Sequence, residues 1–180
     1  MKRKIYAQLI DWKNQAHRKP LILNGVRQCG KTYILKKFGQ EAFDNLAYVS
    51  CDRNENLQAI YAGDFDTARI IRGLSALTGE DIIPGKTLIF LDEVQAFPQA
   101  LEALKYFCED APEYHIVVAG SLLGVALHAG VSFPVGKVQT MRLYPMDFEE
   151  FLMAMGEDQL LKLMRSKDYG LMNAFHEKLK

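Results

Sequence analysis

The sequence predicts an α/β fold in which a parallel sheet carries helices on both faces. Two observations point to it: short strand candidates alternate with helical segments along the chain, and the strand candidates are almost wholly apolar. Strands that are buried on both sides of a sheet read as continuous apolar runs. The length of 180 residues suits one domain, or one domain with a small appendage.

The strand candidates are apolar runs of strand length, several of them bounded by turn residues. The first follows Pro20, the third follows a turn at Pro84 and Gly85, and the fourth ends at a Gly-Ser pair. In chain order they are residues 21–23, 46–49, 88–91, 116–119 and 138–143. Together they predict a five-stranded parallel sheet.

The helix candidates carry apolar residues at helical spacing. They are residues 4–16, 31–38 and 66–77, a helix that begins at Pro98, and the whole stretch from residue 147 onward. Gly39 is predicted to end the second helix and Gly79 the third, because helices commonly close on a glycine. Breaks near Gly156 and around Lys167 divide the C-terminal stretch.

The chain is predicted to consist of a core and a short helical segment. The core covers residues 1–146 and includes the N-terminal helix, and the segment covers residues 147–180. Residues 174–180 continue as a helix without a glycine, a proline or a polar tail. We therefore expect this segment to be the start of a further region that the sequence truncates.

The composition excludes several classes of protein. Lys and Arg number 22, as do Asp and Glu, so a polybasic nucleic-acid binder is not expected. No apolar run approaches the roughly 18 residues of a membrane helix, and the basic N-terminus lacks the apolar stretch of a signal peptide. Three cysteines are too few for a disulfide framework. We expect a cytoplasmic protein.

One motif carries a specific chemistry. Residues 25–32 match G-x-x-x-x-G-K-[ST] in full, after a predicted strand and at the start of a predicted helix. Such a loop turns its backbone N–H groups toward phosphates, and the helix N-terminus adds positive charge. Lys31 would reach the β- and γ-phosphates, and the Thr32 hydroxyl would ligate Mg²⁺. The structural alternative is a glycine-rich turn with a surface lysine. The residues expected to contact the nucleotide are Gly25, Val26, Arg27, Gln28, Cys29, Gly30, Lys31, Thr32 and Tyr33.

A second candidate is the acidic end of the third strand, where Asp92 and Glu93 follow an apolar run. Ligands of open α/β sheets bind at the carboxyl ends of the strands. Asp92 would hold Mg²⁺, directly or through water, and Glu93 would orient and deprotonate an attacking water. Taken alone, such a pair is more commonly a solvated strand end. Ser121, after the fourth strand, either touches the γ-phosphate or the attacking water, or simply begins a turn.

Together these motifs resemble those of the AAA superfamily of P-loop ATPases. More narrowly, they resemble a large prokaryotic group with an N-terminal ATPase core and a C-terminal domain of unknown function. The resemblance runs from residue 21 to about residue 151. It is carried by residues 24–32, 88–95, 119–124, 132–138 and 143–151.

The resemblance implies a three-layer P-loop fold whose five-stranded parallel sheet has the phosphate-loop strand at its centre. It assigns Lys31 and Thr32 to the Walker A motif, Asp92 and Glu93 to the Walker B motif, and Ser121 to the sensor-1 position. It does not place an arginine finger, for which Arg69, Arg72 and Arg142 are candidates by residue type alone, and it implies that the family's C-terminal domain is missing from this sequence. The resemblance favours none of these three arginines.

The function expected from these motifs is Mg²⁺-dependent hydrolysis of ATP to ADP and phosphate. ATP is favoured over GTP by the resemblance and by the lack of an evident N-K-x-D segment. Two alternatives stay open: a switch that hydrolyses slowly, and a remodelling ATPase that acts on nucleic acid, which the balanced charge disfavours. A homo-oligomer in which a neighbouring subunit supplies an arginine is a further possibility, and no macromolecular partner is predicted.

Overall fold

A computed structural model describes residues 3–120 and 134–174, with side chains up to residue 172. These residues divide into two compact units. The larger is Ile5–Pro145, and the smaller combines residues 3–4 with residues 146–174. No helix within the described ranges has both the length and the apolar character that a bilayer-spanning segment requires.

The larger unit is built around a five-stranded sheet in which every strand pair is parallel. Its strands are β1 (Leu21–Gly25), β2 (Asn45–Ser50), β3 (Thr87–Asp92), β4 (His115–Gly120) and β5 (Gln139–Leu143). Its helices are α1 (Ile5–Lys13), α2 (Lys31–Ala42), α3 (Asn56–Ile60), α4 (Thr67–Thr78) and α5 (Gln99–Asp110), with a short 3-10 helix at Val94–Ala96. The predicted α/β class and five-stranded parallel sheet are confirmed.

The apolar strands have hydrophobic layers on both faces, which is why they read as continuous apolar runs. On one face Ile22, Ile89 and Val118 pack in a cluster with residues of α3, α4 and α5. On the other face Leu23 and Phe90 pack in a cluster with residues of α1 and α2. The strand β3 is buried along its whole length. The sheet is therefore the middle layer of three.

The strand order is β2-β3-β4-β1-β5. The phosphate-loop strand β1, which was expected at the centre, is an interior strand of the sheet. The middle position belongs to its neighbour β4. In the register, Ser50 pairs with Asp92, Asn24 with Gly120, and β1 with β5 up to its last residue. The carboxyl ends of the strands thus meet at one edge of the sheet.

Two helix ends differ from the sequence prediction. The N-terminal helix ends at Lys13, three residues before the predicted end, and α2 continues through Gly39 to Ala42. A Cβ atom at Gly39 would lie 2.7 Å from the Leu46 side chain, so this glycine makes room for β2 inside a helix and does not end it. Gly79 does end α4, in the left-handed conformation with φ 73°.

The smaller unit contains three short helices, α6 (Phe148–Met155), α7 (Asp158–Ser166) and α8 (Tyr169–Ala174), separated at the two predicted breaks. Asp147 caps α6 by accepting from the backbone N–H of Glu150, whose side chain accepts in turn from the N–H of Asp147. The buried Glu150 carboxylate also pairs with Arg3 at 3.1 Å and accepts from the backbone N–H of Lys4 at 2.7 Å. These bonds satisfy both carboxylate oxygens.

Candidate functional site

The loop between β1 and α2 depends on two glycines for different reasons. Gly30 has φ 93°, a left-handed conformation that a residue with a side chain rarely adopts. Gly25 is set by close packing: a Cβ atom there would lie 2.5 Å from the Leu143 carbonyl oxygen of β5 and 2.9 Å from the Cys29 Sγ. Gln28 is also left-handed, with φ 63°. The loop is therefore tightly folded against β5.

Lys31 is the first residue of α2 and is buried, with 7% of its surface exposed. Its ammonium Nζ donates to the carbonyl oxygens of Gly25 and Val26, both at 2.9 Å. A buried ammonium requires such partners, because an unpaired charge is costly to remove from water. The positive charge is thus held inside the loop, next to the N-terminus of the helix.

Asp92 and Thr32 meet directly at the carboxyl end of β3. The Thr32 hydroxyl donates to Asp92 Oδ2 at 2.6 Å, and the backbone N–H of Glu93 donates to Asp92 Oδ1 at 3.0 Å. The Asp92 side chain is buried, and its backbone carbonyl accepts from the N–H of Cys51 at 2.8 Å. Two motifs 60 residues apart in sequence therefore share one hydrogen bond.

Glu93 leaves the sheet in an unusual backbone conformation. Its φ is 52°, in the left-handed region that residues other than glycine rarely occupy, and the 3-10 helix begins directly after it. The side-chain amide of Gln95, in that helix, donates to the Glu93 carboxylate. Such backbone outliers concentrate at functional sites. The turn leaves Glu93 half-buried and in the lining of a cleft.

That cleft has a volume of about 620 Å³. Its lining comprises Arg27, Gln28, Gly30, Lys31, Thr32, Tyr33, Asp52, Glu93, Gln95 and Ala96. The structure therefore brings together most of the predicted phosphate loop and Glu93. Four of the predicted residues that the structure describes are not in the lining. Gly25 packs on β5, Cys29 is 9% exposed, and Asp92 is buried and bonded to Thr32. Val26 is exposed but also lies outside the lining.

The cleft also includes residues that sequence reasoning missed. Asp52 comes shortly after the end of β2, and Gln95 two residues after Glu93. Since parallel strands end at the same edge of a sheet, a polar residue shortly after β2 was an available signal for Asp52. Gln95 is the last residue of the segment 88–95 that carries the family resemblance, but no role was predicted for it. The predicted Ser121 lies outside the described residues.

The carboxylates influence the groups at the end of β2. Burial raises the pKa of the Cys51 thiol to about 12, and the negative charges of Asp92 and Glu93 add to the effect. Burial also raises the pKa of Tyr48, again with contributions from both carboxylates. The end of β3 is thus a region of negative potential beside the positive charge of Lys31. Such a site can bind a divalent cation and an anion next to each other.

Two of the candidate arginines have partners within the larger unit. The Arg69 guanidinium donates to the backbone carbonyls of Ala59 and Ala62, and the Arg142 guanidinium lies 5.9 Å from the centre of the Tyr144 ring. Neither residue is in the cleft lining.

A parallel sheet whose β1 leads through the glycine-rich loop into α2, with Thr32 on the carboxylate at the end of β3, defines an AAA-like P-loop ATPase. A family model described as an AAA domain matches residues 17–152, which is more than half of the chain. The chain belongs to this family, and the predicted resemblance is confirmed at that level. As a member of this family, it is a nucleotide-binding domain of the AAA ATPase type.

One solved structure is similar in fold, and a second match is weaker. A Walker-type ATPase of Pyrococcus abyssi matches with a TM-score of 0.54 and 17% sequence identity, covering 89% of this chain and 59% of that chain. At this identity the likeness shows the fold, and this chain spans 59% of the length of that protein. The Pif1 helicase from Candida albicans has a TM-score of 0.46 and 11% identity, covering 84% of this chain and 41% of that chain. None of the curated proteins matches the sequence.

Proposed function

We propose that this chain binds ATP together with Mg²⁺ in the cleft and hydrolyses it to ADP and phosphate. The observation that carries the proposal is the hydrogen bond of 2.6 Å from Thr32 to Asp92, with Lys31 next to Thr32 in α2 and Glu93 next to Asp92. It joins a phosphate-binding loop to a pair of carboxylates with different environments. One carboxylate is buried and bonded, and the other faces the cleft.

Phosphate binding is assigned to the loop and the start of α2. The backbone N–H groups of residues 25–33 would surround the β- and γ-phosphates, and the helix N-terminus would add its partial positive charge. Lys31 would move its ammonium from the carbonyls of Gly25 and Val26 onto the phosphate oxygens. Since the ammonium is already buried next to the loop, this requires a short displacement of a flexible side chain.

The oxygen atoms of Thr32 and Asp92 fit a magnesium ion. Mg²⁺ prefers hard oxygen ligands and binds proteins through one or two side chains, with water and phosphate oxygens completing its shell. The Thr32 hydroxyl would turn its lone pair toward the ion, while the Asp92 carboxylate would bind it directly or through water. The bound ion supplies charge that stabilises the phosphoryl group and the leaving ADP.

Glu93 is the proposed general base. Its carboxylate would accept a proton from a water molecule whose oxygen attacks the γ-phosphorus, as the bond from phosphorus to the β–γ bridging oxygen breaks and ADP leaves. Ser121 is proposed to touch the γ-phosphate or the same water. An arginine from a neighbouring subunit would complete the charge stabilisation, and we propose residues 1–146 as the ATPase core and residues 147–180 as a separate helical segment.

Calorimetric titration with ATP and Mg²⁺ tests the binding step. We expect saturable binding to the parent chain and its loss in Lys31→Ala. Lys86→Ala is the matched control, because Lys86 is an exposed lysine just before the amino end of β3, at the opposite edge of the sheet. Equal binding by the parent and Lys31→Ala, or no binding to either folded protein, would contradict the proposed site.

Phosphate release tests the chemical step. Glu93→Gln should bind ATP as the parent does and lose most of its hydrolysis, since an amide cannot accept the proton. The variant keeps the size of the side chain, so a change in binding is not expected. Equal hydrolysis by the parent and Glu93→Gln would remove Glu93 from the mechanism.

A further inference from the structure

Gln95 lies beside the proposed general base, at the end of the segment 88–95, and the proposed function gives it no role. It is in the 3-10 helix that follows Glu93, and it lines the cleft. Only Val94 separates the two residues in sequence. The left-handed backbone of Glu93 turns the chain so that the side chains of Glu93 and Gln95 meet. Their contact is the starting point of the inference.

The orientation of the Gln95 amide follows from its partner. A carboxylate accepts hydrogen bonds but cannot donate them, so the NH₂ group of Gln95 must face Glu93. Its carbonyl Oε1 then points away, and within the described part of the chain this buried oxygen has no hydrogen-bond partner. A buried acceptor without a donor is unfavourable. The orientation of the amide is therefore set by the Glu93 carboxylate and not by a partner of its own oxygen among the described residues.

The position of this oxygen is fixed by Gly120 at the end of β4. A Cβ atom at Gly120 would lie 2.6 Å from Gln95 Oε1, so the amide packs directly on the backbone of that glycine. Gly120 is paired with Asn24, the residue before the phosphate loop. The free oxygen therefore lies at the end of the strand between β3, which carries the carboxylates, and β1, which carries the loop.

We propose that Gln95 is a positioning residue: its amide NH₂ group holds the Glu93 carboxylate in the orientation from which that carboxylate accepts a proton from the attacking water. The inference rests on the proposed ATP hydrolysis. The attacking water has two hydrogens. One proton passes to Glu93 as the water oxygen bonds to the γ-phosphorus and the bridging bond to ADP breaks. The other hydrogen stays on the phosphate product.

The test compares Gln95→Met with the parent, with ATP binding, kcat, KM and the melting temperature measured for each. Methionine keeps the approximate length of the side chain and removes both hydrogen-bonding groups. We expect kcat to fall roughly 100-fold, the loss typical of misplaced reacting groups, while ATP binding stays unchanged. Gln99→Met is the control, because Gln99 is an exposed glutamine four residues further on, at the start of α5.

Two further variants separate this role from a structural one. Gly120→Ala displaces the amide without changing Gln95, and it should lower kcat in the same way even if Gln95→Met does not fold. In a Glu93→Gln background, Gln95→Met should have no additional effect on kcat, because Gln95 acts through the Glu93 carboxylate.

The outcomes distinguish this inference from the function on which it rests. If the parent hydrolyses ATP, Glu93→Gln does not, and Gln95→Met keeps the parent kcat, the role of Gln95 is refuted and the proposed function stands. A fall in kcat that is matched by an equal loss of ATP binding or of folded protein also refutes it. If the parent and Glu93→Gln show the same hydrolysis, the proposed function fails and this inference fails with it.

Discussion

Replacing Gly25 with alanine tests whether the phosphate loop depends on the close packing of β1 against β5. The new Cβ atom would lie 2.5 Å from the Leu143 carbonyl oxygen, whereas ordinary contacts begin at 3.4 Å, so about 0.9 Å of separation is required. That oxygen belongs to the backbone of a strand paired with β1, and it cannot rotate away as a side chain would. Crowding of this kind costs about 1–3 kcal/mol of stability.

Urea denaturation followed by circular dichroism measures this cost. For a chain of this size, 1 kcal/mol corresponds to a shift of about 2–4 °C in melting temperature, so thermal unfolding gives a second estimate. Gly170→Ala is the control, because among the described residues its Cβ atom would meet only the Asp168 side chain, at an ordinary 3.4 Å. We expect that variant to unfold within about 0.5 kcal/mol of the parent.

A double variant separates the two contacts of the new methyl group. Adding Cys29→Ala to Gly25→Ala removes the sulfur atom at 2.9 Å but leaves the Leu143 carbonyl at 2.5 Å. We expect the double variant to remain destabilised relative to Cys29→Ala alone. If Gly25→Ala unfolds within 0.5 kcal/mol of the parent, a value inside the ordinary range of neutral substitutions, the reasoning from close packing is wrong.

Three other predictions follow from buried groups. Glu150→Ala removes the carboxylate that binds Arg3, and loss of one partner of a buried pair should destabilise the smaller unit by about 3 kcal/mol, seen as faster amide hydrogen exchange in α6. Burial lowers the pKa of His115 from 6.5 to about 4, so the unfolded chain binds a proton more readily than the folded one, and stability should fall by up to about 3 kcal/mol as the pH drops from 6.5 to 4. Urea denaturation across this range should show a smaller fall for His115→Gln. The raised pKa keeps the buried Cys51 thiol protonated, so iodoacetamide at pH 7 should modify the partly exposed Cys108 first, as measured by mass spectrometry.

The parts of the fold that the sequence predicted are those that local patterns determine. The strands 88–91 and 116–119 are apolar on both faces, and the structure extends each only to its neighbouring residues in β3 and β4. The loop 25–32 has an unbroken motif between a strand and a helix. In these segments the hydrophobic pattern, the turn residues and the chemistry all favour the same structure.

The parts that were missed depend on contacts between distant residues. The short helix α3 has five residues, too few to show a clear period. The contact of Gly39 with Leu46, which keeps this glycine inside a helix, is not visible in the sequence around it. Gln95 belongs to the segment 88–95 that carries the resemblance, but its hydrogen bond to Glu93 depends on the backbone turn at Glu93 and could not be predicted from the sequence.

The internal hydrogen bonds of the resting site have a thermodynamic consequence. Lys31 and Thr32 are held by hydrogen bonds to Gly25, Val26 and Asp92. Ordering a lysine side chain costs up to about 2 kcal/mol of conformational entropy, and here that cost belongs to folding. If ATP binds as proposed, association would exchange one set of bonds for another between groups that folding has already ordered. The loop would then be preorganised for its ligand.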